Sequence, residues 1–172
     1  MIAAQRIFVV TAAVLGLAAF VRPAWPQIGA KKPAAAIDRR VATALTEAGL
    51  KFNNDNDSDF VLSFELDNNR DHVVFIRSGT EMWGTMEIRE VFAFAYRSKT
   101  RLSQAKLEKM LRANADMKSG AWQLVDGDQL NAIFSVKVAA DCDGTALKTV
   151  VWGVARTADE MEQALNSGKD VH

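Results

Sequence analysis

The sequence is short of the residues from which most catalytic and metal sites are built. One cysteine, Cys142, stands among 172 residues, so no intrachain disulfide can form. Two histidines, His72 and His172, leave little material for a zinc site or an imidazole relay. No G-x-G-x-x-G, P-loop or G-x-S-x-G occurs, which removes the usual signatures of a bound nucleotide and of a serine nucleophile. Ser78 and Ser119 precede glycines but belong to no such elbow. Net charge is missing as well, since 21 basic and 21 acidic side chains cancel. Every acidic residue follows position 37, so the chain beyond its leader is slightly acidic. Without a basic patch to displace counterions, nucleic acid is not an expected partner.

Long apolar runs are also absent, with one exception at the N-terminus. After Arg6, residues 7–21 read IFVVTAAVLGLAAFV, fifteen positions without a charge. That length suits the core of an export signal and falls short of the roughly 20 residues of a membrane span. The run is apolar on every face, so it is not an amphipathic core helix. Residues 1–22 are therefore expected to be a signal peptide, with an uncleaved anchor as the alternative. Small residues at Ala18-Ala19 and at Gly29-Ala30 both offer a cut. Residues 23–36 follow as a Pro/Ala-rich linker holding all three prolines. A periplasmic or secreted location is expected, with membrane contact only through the leader if it is retained.

The body, 37–170, has the apolar content for one core. Ile37, Val41, Leu45 and Ala48 recur at helical spacing before Gly49, predicting a helix over 36–48. Residues 53–59, NNDNDSD, read as a turn. Alternation predicts strands over 60–66, 73–76 and 88–96, with a helix over 85–95 competing for the last. Asp67 to Asp71 forms a hairpin connection, and Ser78-Gly79 turns the chain again. Ser103 caps a second helix running to Asn114, with Leu102, Leu107, Met110, Leu111 and Asn114 on one face. Strands over 121–125 and 130–138 flank a tight turn at Asp126-Gly127-Asp128. Asp143 caps a long third helix whose apolar positions are Leu147, Val150, Val151, Val154, Ala158, Met161 and Leu165, closed by Gly168. The expected class is α+β. About five antiparallel strands, in the order α-βββ-α-ββ-α, are covered by helices.

Few residues invite chemistry. Asp55, Asp57 and Asp59 alternate as in the first half of a calcium loop. However, Phe60 stands where that loop needs glycine, and Leu66 where it needs glutamate. A solvated turn is the plainer reading, and the three carboxylates are weak metal candidates only. His72 stands beside Asp71, a carboxylate that would favour its charged form. Cys142 lies between Asp141 and Asp143, whose charges discourage a thiolate. The pair Asp126 and Asp128 is explained by its turn. Met82, Trp83 and Met86 fall in the connection 79–85 and just beyond it, where polar residues are expected. They are candidate partner-binding residues, with folding under the sheet as the plainer alternative.

At Leu111-Arg112-Ala113-Asn114, at Gly120-Ala121-Trp122-Gln123-Leu124, at Val154-Ala155 and at Ala158-Asp159-Glu160-Met161, the chain resembles the YbjN family of bacterial sensory transduction regulators. The resemblance spans roughly 37–170. It implies a fold like that of type III secretion chaperones, which binds other proteins, is commonly dimeric and has no known active site. Typical members lack an export leader, so a cytoplasmic regulatory role does not carry over. The residues that carry the match also have structural uses. Asn114 can bond backbone beyond its helix, Gly120 permits a left-handed turn, and Trp122 buries a ring whose N–H needs a partner. The expected function is an exported, non-enzymatic, chaperone-like module that binds a protein or peptide in the cell envelope, without a cofactor. The alternative is a small ion- or ligand-binding envelope protein using the loop from Asp55 to Asp59.

Overall fold

The computed structural model describes residues 36–166. The expected leader, most of the linker, Gly168 and His172 lie outside the described residues.

The chain begins with α1 (Arg39–Glu47), whose N-cap Asp38 accepts the Arg40 N–H at 2.9 Å. Gly49, at φ +69°, ends it: the Leu50 N–H returns to the Leu45 carbonyl and the Gly49 N–H to that of Thr46. A short β1 (Asn53–Asn54) leads into β2 (Phe60–Leu66), β3 (Arg70–Trp83) and β4 (Met86–Ser98). Then come α2 (Gln104–Ala113), β5 (Ala121–Val125), β6 (Leu130–Ala139) and α3 (Gly144–Asn166). The six strands form one antiparallel sheet, in the order β1-β2-β3-β4-β6-β5. The α+β class is as expected, with one strand more than the alternation announced, because the two-residue β1 is too short to alternate.

Helix α3 crosses the middle of the sheet over β3, β4 and β6, and α1 packs on α3. A Cβ on Gly144 would stand 2.5 Å from the Ala44 carbonyl, so this glycine sets how closely α1 and α3 approach. Beneath α3 lie Phe60, Leu62, Phe64, Val74, Ile76, Val91, Ala93, Ala132, Phe134 and Val136, alternate residues of four strands. Among the described residues all three helices join this one core, on one face of the sheet.

The structure corrects several local expectations. The strand expected over 88–96 is present within β4 (Met86–Ser98), and it is the competing helix over 85–95 that falls. Ser78-Gly79 is not a turn: β3 runs through it with a register shift between Ile76 and Thr80. The irregular backbone is held from both sides. Asp59 accepts the Ser78 N–H at 2.9 Å, while buried Arg89 donates to the carbonyls of Arg77 and Ser78. The connection 79–85 is consequently no loop but the end of a long hairpin, turning at Gly84 (φ +63°) and Thr85. Ile37 faces solvent rather than the core, and Leu111 is 72% exposed, one residue past the buried Met110.

Candidate functional site

The pleat gives the sheet a second face, which no helix among the described residues covers. Its central row runs Val61, Phe75, Phe92, Ser135, Ala121 across five strands. The next row holds the pairs Ser63–Val73 and Phe94–Ile133. Phe75 stacks on Phe92 at 5.2 Å, and Phe94 meets both edge-on at 5.5 and 5.7 Å. Arg77 lies over the Phe92 ring at 4.7 Å and Arg97 over Phe94 at 4.1 Å. Phe92 is thereby left only 5% exposed, although no helix roofs it. On one side Glu90 accepts from Ser135 at 2.6 Å and lies 3.3 Å from Lys137. On the other stand Glu65, Asp71 and Arg97. The face thus has an apolar centre and a rim of both charges.

The hairpin extends this face at one end. Beyond Ile76, β3 no longer pairs with β2, and beyond Ile88 β4 no longer pairs with β6, so the tip is a two-stranded ribbon. Met82, Trp83 and Met86 sit there, 65%, 71% and 45% exposed. They do not fold under the sheet. The base of the ribbon is locked to the start of α1. Arg89 reaches Asp38, and Arg40 holds Glu87 at 2.7 and 2.9 Å. The Arg40 guanidinium, helped by its own N–H and by Arg89, keeps the Asp38 carboxyl well below the usual range against the cost of its burial. The same guanidinium and the Thr80 hydroxyl lower Glu87 to about 2.

The other candidates resolve differently. Asp55 Oδ1 accepts the N–H groups of Asp57 and Asp59, and Asp59, buried, holds Arg77 at 2.7 Å. The Asp55 carboxylate therefore serves the turn and the Asp59 carboxylate the bulge. Cys142 is half-buried, and burial pushes its thiol up, with Asp143 and Asp141 adding to the effect. Trp122 is buried against Phe134, and its indole N–H meets no acceptor among the described residues. Asn114 accepts the Trp122 N–H at 2.7 Å, so it caps the free edge of β5 instead of bonding the intervening loop.

His72 does not flank a strand beside an effective Asp71. It lies inside β3, fully buried, on the opposite face from Asp71. Its Nδ1 is 3.7 Å from Glu162 of α3. Arg70 joins them, donating to Asp159 at 2.6 Å and to Glu162 at 2.8 Å, and Gln163 donates to Asp159 at 2.7 Å. Ligand atoms of His72, Asp159 and Glu162 lie within 4.8 Å of one another, a spacing that could hold a metal ion. Arg70 already engages both carboxylates, however, and does the neutralising that an ion would do. The arrangement is a buried charge cluster pinning α3 to β3. The sequence argument missed it. Its one signal was two acids, Asp159 and Glu162, three apart beside the apolar stripe of α3. A groove of about 570 Å³ opens next to Asp159, walled by Glu65, Asp67, Trp152, Arg156 and Glu160.

No protein-family model matches this chain, and a search of curated proteins returned no match.

Proposed function

We propose that the chain is an exported, non-enzymatic, chaperone-like module that holds a protein or peptide partner in the cell envelope against its helix-free sheet face. One observation carries this reading: the Phe75–Phe92–Phe94 cluster occupies a face that no helix among the described residues covers. A surface that only had to be soluble would not need three clustered rings there. The two arginines over the rings keep them compatible with water and can swing aside for a partner. The mixed charges around the rings would give orientation more than affinity. The resemblance to the YbjN family and to secretion chaperones agrees with this use and favours a homodimer. A second copy would not extend the sheet at β5, where Asn114 already occupies the outward N–H of Trp122.

The test is site-specific photocrosslinking in the full chain. A crosslinker at Phe75 is expected to give a discrete adduct from envelope extract, lost when Phe94→Asp is added. Adducts no stronger than those from a crosslinker at Glu108, exposed on α2, would count against the proposal.

A further inference from the structure

Six large hydrophobic side chains are exposed among the described residues, and four of them gather at one end: Ile37 (51%), Met82, Trp83 and Met86. Ile37 is held there because its neighbour Asp38 bonds Arg89, while Arg40 bonds Glu87, one residue from Met86. The chain therefore enters the domain at the base of the hairpin ribbon, beside Glu87. What precedes this entry is chemically distinctive. Residues 22–40 hold five basic side chains and one acidic one. Before them lies the apolar run that ends at Val21. The fourteen residues between that run and Ala36 can reach about 50 Å at most. Glu81, the exposed acid of the ribbon, stands two pairs back from the turn, and Glu87 is offset by Arg40.

We infer that this end of the molecule, the hairpin tip together with Ile37, rests on a lipid surface carrying anionic headgroups. An indole suits the headgroup level, with its ring in apolar surroundings and its N–H in polar ones. Methionines on either side adapt to a fluid surface without needing a shaped pocket. Lys31, Lys32 and Arg39 supply attraction to anionic lipid, and the apolar run, where it is retained as the anchor, ties the chain to the bilayer. A protein partner would explain the exposed tip but not why the sequence preceding Ile37 carries a basic stretch and an apolar run. The inference is independent of the sheet-face reading, and either can fail alone.

Trp83 is its own probe. The full chain in a Trp25→Phe background is reconstituted into phosphatidylcholine–phosphatidylglycerol vesicles, with and without bromine on the acyl chains. Subtracting the emission of a matched chain that also carries Trp83→Phe isolates Trp83. Because Trp83 is 71% exposed, that substitution removes little packing, and circular dichroism checks the fold. The bromolipid is expected to quench the Trp83 component roughly twofold or more, with less quenching when phosphatidylglycerol is left out. A Trp83 component of equal intensity in both vesicle types overturns the inference. So does one that ignores lipid and shifts only when envelope protein is added, which would assign the tip to a protein partner.

Discussion

Strand β4 shows the two faces of the sheet side by side. Toward α3 it presents Val91, Ala93 and Ala95, all fully buried and all small, because the helix crosses directly over them. Away from α3 it presents Phe92 and Phe94, large rings packed, among the described residues, against each other, Phe75 and two arginines. One face solved its burial with a helix, the other with aromatic stacking and cation–π contacts. Small residues on the covered side set how closely the helix approaches. On the open side the partly exposed Phe75 and Phe94 leave apolar area for something else to cover.

That contrast can be broken by substitution. The largest effect is expected where the covered side hides charge. Arg70→Met leaves Asp159 and Glu162 buried without their cation and should cost about 3–5 kcal/mol in urea unfolding. A metal centre would instead regain stability on adding a divalent ion, and this cluster should not. Ala93→Leu overpacks the space under α3 and should cost about 1–3 kcal/mol. Asn114→Ala exposes the outward N–H of Trp122, for a loss of about 1–2 kcal/mol and more self-association in sedimentation. On the open side, Phe94→Ser should cost only about 1 kcal/mol while removing the partner adduct. The smallest effect is electrostatic. Asp38 and Glu87 lie below their ordinary values of 3.8 and 4.5, so the folded state binds fewer protons than the unfolded one in acid. Their contribution is complete above the unfolded values and fades as pH falls toward about 2, the Glu87 value. The melting temperature should drop across that window, and Glu87→Gln should flatten the drop.

The strands were legible where alternation was strong. Residues 60–66 and 121–125 match β2 and β5 without adjustment, and Ser103 caps α2 as expected. Other features needed partners distant in sequence. Ser78-Gly79 reads locally as a turn, and only Asp59 and Arg89 hold it extended. Arg70 and Asp159 are 89 positions apart, so no local pattern joins them. Leu111 completes an apolar stripe in the sequence, yet α2 lies at the margin of the sheet and buries only its Met110 side. The open face was half visible. Phe92 and Phe94 alternate in the sequence with Val91 and Ala93, but alternation does not say which side a helix will take.

Neighbouring residues of β3 give the most direct test of the two-faced sheet. In a Cys142→Ser background of the full purified chain, Val73→Cys points to the open face and Val74→Cys into the core. The rate of reaction with a water-soluble thiol reagent is the readout. The Val73→Cys thiol should react at least about tenfold faster, since labelling at Val74→Cys waits for the core to open. Equal, slow labelling at both positions would mean that the chain covers both faces itself, and the account would be wrong.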